Sequence, residues 1–286
     1  MAKSNIHASL RALLVELIDY AGLFPPAAHD MKTAWGNYQE YSGGLYKWAL
    51  GKFVVPASRL AELQAVASGK IGKALTVLVG NNIDQDLAVA AAAGALSVEL
   101  KASTVTQIRS AAERLPAGVT AYYEIPIAGD PSGLVAAIAE AGGRAKVRTG
   151  GPTADLFPGP RDLARMMQAC ADEQVPFKAT AGLHHPVRSL HPLTSEPGSD
   201  AVVMHGFLNV FIAAALLRAG EERQKVNRLL EDQNSESFHF DDQLARWKDE
   251  ELDIEQIVDA RKNLAIGFGS CSFDEPMADL KQLGML

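Results

Sequence analysis

The segment between residues 175 and 188, VPFKATAGLHHPVR, begins as an apolar strand and ends in a loop rich in ionisable groups. Alternation along a strand places Lys178 and Thr180 on one face. A lysine inside an otherwise apolar strand is costly to bury unless it is paired or functional. The loop then supplies a glycine and three ionisable side chains: Gly182, His184, His185 and Arg188. These groups could bind an anion, transfer protons or form an imine with a carbonyl compound.

Other predicted strands carry charged residues near their carboxyl ends. Alternation along each strand places these residues on the same face of the sheet as Lys178. The apolar neighbours of these residues share the opposite face, so the charges point inward. Four of them lie on the three preceding strands: Glu99, Glu124, Lys146 and Arg148. A weaker strand over residues 237–240 adds His239 and, just beyond its end, Asp241.

Carboxylates and cations that converge on one site form a strongly coupled cluster, in which pKa values can shift by units. The interiors of parallel barrels are normally filled with Val, Ile and Leu, so buried charge there is unusual. The pattern therefore favours an enzyme over a barrel that has no catalytic role.

The elements that position these residues form a repeating rhythm of strand and helix. The apolar runs are residues 53–56, 74–79, 95–100, 119–125, 144–148, 177–181, 237–240 and 265–268. Each parallel strand needs a helical crossover to reach the next, and eight such units are typical of a (β/α)8 TIM barrel. An open doubly wound sheet is the competing fold, but the turn after the first run lacks the glycine-rich pattern of such sheets.

The first fifty residues precede every predicted strand. Helical spacing of leucines over residues 6–20 and an aromatic-rich run over residues 31–50 predict two helices. We therefore expect a single domain over residues 1–286, with a helical cap over residues 1–50 and the barrel over residues 51–286.

A glycine- and serine-rich loop, Gly267–Ser272, follows the last predicted strand. Barrels commonly bind phosphate after their last two strands through backbone N–H groups, and Gly269 and Ser270 suit that role. A plain flexible turn is an equally good interpretation.

The composition excludes several classes of function. The net charge is −7, with 48% hydrophobic and 21% charged residues, which does not favour binding to nucleic acid or to an anionic membrane. Only two cysteines are present, with no metal-binding spacing. We see no secretory signal and no apolar stretch of spanning length, and we expect a cytoplasmic protein.

The run Phe177-Lys-Ala-Thr-Ala-Gly182 resembles the Schiff-base strand of class I aldolases of the deoxyribose-phosphate aldolase type. The resemblance covers six residues and implies that Lys178, on strand six, forms the imine. The family has a second lysine on strand seven, whereas the second lysine here, Lys146, falls on the fifth predicted strand. Alanines replace some hydroxyl residues of the motif, and the His-His-Pro-Val-Arg extension departs from it.

The leading hypothesis is a lyase, aldolase-like, that acts on a small oxo-acid or sugar phosphate without a cofactor. Imine formation needs a neutral amine, and we expect the neighbouring Lys146 and Arg148 to lower the pKa of Lys178. Glu124 or Glu99 would act as general acid or base. The expected anion-binding groups are Arg148, Arg188 and the Gly267–Ser272 loop, and the expected partner is a small anionic metabolite.

Two alternatives remain open at this point. Glu99, Glu124 and either His184 or His185 could hold a divalent metal ion in an isomerase or hydrolase, with Lys178 as a proton shuttle. Alternatively, the barrel binds a ligand or partner without turnover, and the aromatic-rich segment from Trp35 to Trp48 serves association, including that of a homo-oligomer.

Overall fold

The computed structural model describes residues 6–67, 71–193 and 198–286. Eight parallel strands close into a barrel in the order β1-β13-β7-β6-β5-β4-β3-β2. They are β1 (Ile18–Tyr20), β2 (Leu50–Pro56), β3 (Leu75–Leu78), β4 (Ser97–Lys101), β5 (Thr120–Glu124), β6 (Arg144–Arg148), β7 (Phe177–Thr180) and β13 (Ala265–Ser270). The prediction of a (β/α)8 TIM barrel is confirmed.

Helices connect and surround the barrel strands. They are α1 (Ala8–Leu14), α2 (Met31–Gly43), α3 (Leu60–Val66), α4 (Ile83–Ala92), α5 (Val105–Ala112), α6 (Ser132–Glu140), α7 (Pro160–Asp172), α8 (Phe207–Arg218), α9 (Arg223–Glu231), α10 (Ile254–Asn263) and α11 (Asp274–Gln282). Short 3₁₀ turns cover Ala57–Arg59, Gly72–Ala74, Ala154–Leu156 and Ser235–Ser237. Throughout the described ranges, each helix is too short or too polar to cross a lipid bilayer.

The barrel begins inside the segment predicted to be a helical cap. α1 ends at Leu14, and Ile18–Tyr20 then pairs in parallel with both β2 and β13. The second predicted helix ends at Gly43, and β2 starts at Leu50. The boundary at residue 51 is therefore wrong. A three-residue strand directly after a leucine-rich helix leaves too short an alternating pattern to be recognised.

The seventh predicted strand lies outside the barrel. Residues Phe238–Phe240 form β10, which pairs in antiparallel fashion with β11 (Leu244–Trp247), and β11 pairs with β12 (Glu250–Asp253). Two-residue alternation is the same in a parallel and an antiparallel strand, so the pattern could not distinguish them. A further hairpin, β8 (Ser189–Pro192) and β9 (Ala201–Met204), lies in the long connection after β7.

The apolar core lies between the outer face of the barrel and the helices. Val98, Tyr123, Val147 and Phe268 alternate with the inward residues of their strands and are fully buried. α8 is apolar on all sides, and every residue from Phe207 to Leu217 is buried. A helix of this kind must be enclosed by protein, and here α7, α9, α10 and β13 contact it.

Candidate active site

A chain of alternating charges occupies the interior of the barrel. Its members, in order of contact, are Asp19, Lys178, Glu99, Lys146, Glu124 and Arg148. Lys178, Glu99 and Lys146 are almost completely buried. Each contact joins a cation to a carboxylate, so every buried charge in the chain has a partner of opposite sign.

The contacts between these groups are short. Lys178 Nζ lies 2.6 Å from Asp19 Oδ2 and also contacts Glu99 Oε1. Lys146 Nζ lies 2.7 Å from Glu99 Oε2 and 2.8 Å from Glu124 Oε2. Arg148 Nη2 closes the chain at 2.9 Å from Glu124 Oε1. Glu99 and Glu124 therefore each bridge two cations.

Strand register brings these side chains together. Glu124 on β5 is paired with Lys146 on β6, and Lys146 is paired with Lys178 on β7. Residues paired in this way on parallel strands share one face, so all three project into the barrel. Asp19 joins them from β1, where its Oδ1 also accepts a 2.7 Å hydrogen bond from the backbone N–H of Lys52.

Lys178 carries its proton more firmly than the sequence predicts. Burial lowers the pKa of Lys178, but the carboxylates of Asp19 and Glu99 outweigh burial and raise it above its usual range. The expectation that neighbouring cations lower this pKa is therefore wrong for the free protein. The reason is Asp19, whose strand was not predicted. The Lys178 ammonium also lies 4.9 Å from the centre of the Tyr122 ring, an attractive cation–π contact.

The bridging carboxylates remain ionised. Burial raises the pKa of Glu99, but Lys146 and Lys178 outweigh it and lower that pKa to about 2. The same balance lowers the pKa of Glu124, where burial is opposed mainly by Lys146 and then by Arg148. Both groups are thus proton acceptors at neutral pH, and protons available for donation reside on the lysines.

Lys52 on β2 is a third interior lysine, which sequence reasoning missed. Its Nζ donates a 3.0 Å hydrogen bond to Ser97 Oγ and, among the described residues, forms no ion pair with a carboxylate. Burial is the main cause that lowers the pKa of Lys52, although Asp19 opposes it. Positive charge on Lys178 and Arg144 lowers that pKa further.

The loops after β6 and β7 pack tightly against each other above the chain of charges. Thr149 Oγ1 donates hydrogen bonds to the carbonyl oxygens of Thr180 and Ala181. Gly182 has a φ of +74°, and a Cβ placed there would lie 2.8 Å from Gly150 Cα. Only glycine fits at this crossing. Thr180 and Gly182 therefore shape the mouth by backbone contacts.

The polar groups of the 175–188 loop are divided between two places. His184 and His185 lie at the carboxyl end of β7, where they contact Glu275 and Asp279 of α11. Arg188 turns toward α8, and its Nη1 lies 3.2 Å from His205 Nδ1. In the part of the chain that the structure describes, Arg188 has no hydrogen bond or ion pair with the chain of charges. Its predicted role in holding a substrate anion has no geometric support.

His239 and Asp241 do not belong to the site. His239 lies within the antiparallel strand β10 and is exposed, and Asp241, directly after that strand, forms an ion pair with Arg246 at 2.6 Å. The backbone oxygen of Asp241 accepts a hydrogen bond from Ser9 at the start of the chain. The prediction failed because it assigned β10 to the barrel.

Most of the run predicted to be a loop, Gly267–Ser270, belongs to β13 itself, and only Cys271 and Ser272 follow that strand. A Cβ at Gly269 would meet only Thr180 Oγ1, at 3.6 Å, so this glycine leaves space beside β7. Ser270 is buried, and its Oγ accepts a hydrogen bond from the backbone N–H of Ser272. Binding of a phosphate by these two residues stays a prediction.

The sequence analysis missed several interior residues, among them Asp19, Lys52, Tyr122 and Arg144. Arg144 donates a 2.8 Å hydrogen bond to Tyr122 Oη. Tyr122 and Arg144 have the same parity as Glu124 and Lys146, so alternation alone would have included them. Lys52 has inward parity with Val54, but it precedes the predicted start of its strand.

The geometry does not assemble the predicted metal ligands. Glu99 and Glu124 contact lysines, whereas His184 and His185 contact other carboxylates. Among the described residues, no group of three or more His, Cys, Asp or Glu side chains has a metal-binding arrangement. Metal dependence through Glu99 and Glu124 would require Lys146 to release both carboxylates.

The corrected strand count changes the positions of the two lysines. With Ile18–Tyr20 as the first barrel strand, Lys146 lies on the sixth strand and Lys178 on the seventh. Lys146 is also followed by a threonine and two glycines, in the run Lys146–Gly151.

Comparisons with known proteins add little to this description. No model of a protein family matches the chain, and no curated protein matches its sequence. Among solved structures, it is similar to a lysine/ornithine decarboxylase complexed with cadaverine from Vibrio vulnificus, with 12% identity and a TM-score of 0.41. The match covers 60% of this chain and 48% of that one, so the chain spans about half the length of the protein it matches.

Proposed function

We propose that the barrel interior is the active site of a lyase of the aldolase type, which forms a Schiff base with a small anionic oxo compound. The observation that carries this proposal is the buried chain of lysines and carboxylates. Five basic side chains contribute to the interior, Lys52, Arg144, Lys146, Arg148 and Lys178, against three carboxylates, Asp19, Glu99 and Glu124. The excess of basic groups favours an anionic substrate.

Lys146 lies in the middle of the chain of charges, between Glu99 and Glu124. Both of its carboxylate partners have a second cation, because Glu99 also contacts Lys178 and Glu124 also contacts Arg148. A neutral Lys146 therefore leaves no carboxylate unpaired. A neutral Lys178 would leave Asp19 with only the backbone N–H of Lys52 as a polar partner within the described residues. Loss of a buried partner is strongly unfavourable, so Lys146 is the better nucleophile.

The proposal moves the nucleophile from Lys178, which the sequence indicates, to Lys146. The corrected strand positions support the change, since they give Lys146 the strand-six position of the Schiff-base lysine in the family that the sequence resembles. Lys178 then stays protonated beside the imine carbon. Its positive charge stabilises negative charge that develops on the substrate.

The carboxylates supply the proton transfers. The neutral amine of Lys146 attacks the substrate carbonyl, and the carbinolamine loses its hydroxyl as water once a proton is delivered to that oxygen. Glu99 and Glu124 each lie within 2.8 Å of Lys146 Nζ, so either can accept the amine proton and return it. Arg148, with 37% of its side chain exposed, is placed to contact the substrate anion from the mouth.

The test is reductive trapping with borohydride in the presence of small oxo-acids and phosphorylated aldehydes, followed by peptide mass mapping. We expect an adduct on Lys146 that is absent from Lys146→Met. Lys178→Met should lower the yield of the adduct and destabilise the fold by about 3–5 kcal/mol, because it removes a buried ion partner. The exposed Lys47→Met is the matched control and should change neither yield nor melting temperature.

The position of the adduct distinguishes the possible nucleophiles and mechanisms. An adduct on Lys178 would restore the sequence-based assignment of the nucleophile. The absence of an adduct from every lysine, together with activity that chelation abolishes, would reject the Schiff-base mechanism in favour of the metal-dependent alternative. If the proposal holds, exhaustive chelation leaves both the adduct and the melting temperature unchanged.

A further inference from the structure

A second cluster of reactive side chains lies at the carboxyl end of β7 and β13. His184 Nδ1 is 2.8 Å from Glu275 Oε2, and His184 Nε2 is 3.9 Å from Cys271 Sγ. Cys271 directly follows β13, and Glu275 lies in the first turn of α11. None of the three contributes to the chain of charges inside the barrel. A thiol, an imidazole and a carboxylate in this order form the arrangement that activates a nucleophile.

The carboxylate determines which nitrogen of His184 faces the thiol. Glu275 is ionised, since the hydrogen bond from His184 lowers its pKa below the usual range. Nδ1 of the imidazole is therefore the donor in this pair, and in the neutral ring Nε2 carries the lone pair. That lone pair is directed at Cys271 and can accept the thiol proton. Glu275 acts through His184 and is a positioning residue.

Several titratable groups lie near Cys271. α11 begins at Asp274, three residues after Cys271, and Asp274 and Glu275 place two carboxylates in its first turn. Tyr20 adds no charge, because burial raises its pKa further. Burial lowers the pKa of His184, but once Nε2 has taken the thiol proton, the imidazolium is stabilised by Cys271 and Glu275, which raise its pKa to about 10.

A second histidine–carboxylate pair fixes the same loop. His185 Nδ1 lies 2.6 Å from Asp279 Oδ2, one helical turn after Glu275 on α11. The ring of His185 stacks on that of His191 with 3.3 Å between ring centres. Because two adjacent histidines are held by two residues of one helix, the His184 ring is restrained opposite the sulfur.

We propose that Cys271 is an activated thiol that undergoes exchange with low-molecular-weight disulfides, with His184 as its base. In this step the thiol proton moves to His184 Nε2, and the thiolate attacks one sulfur of the disulfide. A new S–S bond forms to Cys271 as the original S–S bond breaks, and the departing thiolate takes the proton from His184. The disulfide is the oxidant and the only co-reactant. Cys271 keeps 8% of its surface exposed, whereas Cys170 is fully enclosed.

Cys170 is an internal control. It lies on α7, is fully buried, and burial alone raises its pKa to about 12. No imidazole contacts it among the described residues. The two cysteines therefore differ in the features that are proposed to matter, an aligned base and access to reagents.

The test uses the full chain and dithiodipyridine, with absorbance of the released thiopyridone as readout and peptide mapping to identify the modified cysteine. At about pH 6, we expect Cys271 to react about tenfold or more faster than a free cysteine, whose thiol pKa is about 8.5. Cys170 should react only after unfolding. Cys271→Ser should abolish the fast phase.

Two variants test the role of the base. His184→Gln should shift the pH–rate profile of Cys271 toward that of free cysteine, and the half-exposed Glu275→Gln should shift it in the same direction by less. Circular dichroism and the slow Cys170 reaction show whether each variant is folded. A wild-type Cys271 that reacts no faster than free cysteine at acid pH, or a profile that neither variant moves, would overturn the proposal.

Discussion

Successive residues of a barrel strand point to opposite faces of the sheet, and these two faces differ in chemistry. The inner face of β6 carries Arg144, Lys146 and Arg148, whereas Val147 between them is fully buried against the helices. The outer face is a continuous apolar layer, and the inner face is a set of ion pairs. Barrels that bury Val, Ile and Leu on both faces gain stability from both.

This difference separates the source of stability from the site of chemistry. Burial of the outer face supplies most of the favourable free energy of folding, because apolar area contributes about 25 cal/mol per Å². The inner ion pairs roughly offset the cost of their own desolvation. Among substitutions that leave every buried charge with a partner, those on the outer face should therefore affect stability most, and those on the inner face should affect function at a smaller cost in stability.

The largest effect on stability is expected from Phe268→Ala. Phe268 is fully buried on the outer face of β13, and its ring lies 5.6 Å from that of Phe207 and 6.0 Å from that of Phe211. Removal of such a ring costs about 3–5 kcal/mol, measured by urea unfolding. Leu190→Ala, at a residue 63% exposed, is the control and should change stability by less than about 0.5 kcal/mol. Equal effects of the two variants would contradict the proposed division between the faces.

An intermediate effect is expected from Glu99→Gln at neutral pH. The loss should be about 1–3 kcal/mol, since Lys146 keeps Glu124 and Lys178 keeps Asp19 as partners. The contact of Glu99 with two lysines lowers its pKa to about 2, so its stabilising contribution is complete above the unfolded-state pKa of about 4.3. That contribution is lost as the pH falls from about 4.3 toward about 2.

Urea midpoints of wild type and Glu99→Gln at several pH values check this dependence. The difference between the two proteins should be constant above about pH 5 and should narrow toward about pH 2. Glu140→Gln, which alters an exposed pair with Arg109, should behave like wild type throughout. A difference that widens with acidity would show that Glu99 does not bear the lowered pKa.

The smallest effect on stability is expected from Lys52→Met. Lys52 donates to a serine hydroxyl and not to a carboxylate, so its removal leaves no buried anion unpaired. Stability should change by less than about 1 kcal/mol. The yield of the borohydride adduct at limiting concentrations of an anionic oxo compound should nevertheless fall, because one interior cation is lost. An unchanged yield would place Lys52 outside the binding site.

The barrel fold could be predicted from the sequence because long alternations of apolar runs and helices survive in β2 to β7. Local patterns, however, do not report which strand lies next to which. The run at residues 237–240 alternates like a barrel strand, yet its partner is the antiparallel strand at Leu244–Trp247. The three residues Ile18–Tyr20 carry too little pattern of their own, and only their pairing with β13 makes them a strand.

The residues of the candidate site were predictable where alternation along a strand is enough to tell which side chains point inward. Glu99, Glu124, Lys146 and Lys178 were found by alternation alone, and they contact one another as charged neighbours. The ionisation of Lys178 was not predictable, because it depends on Asp19 from a strand that the sequence does not reveal. A pKa reflects the sum of all nearby charges, and for Lys178 the carboxylates of Asp19 and Glu99 together outweigh burial.

The pairing of β1 with β13, which closes the barrel, has a consequence for the order in which the protein folds. Ile18 is paired with Phe268, so the sheet remains an open ribbon with two unpaired edges until the segment near residue 268 has been synthesised. Asp19 meets Lys178 across 159 residues of chain, and closure of so long a loop is slow. We therefore expect nascent chains that stop before Ala265 to expose the edges of β1 and β7 and to depend on chaperones, and the amine chemistry to begin only when the last barrel strand has docked.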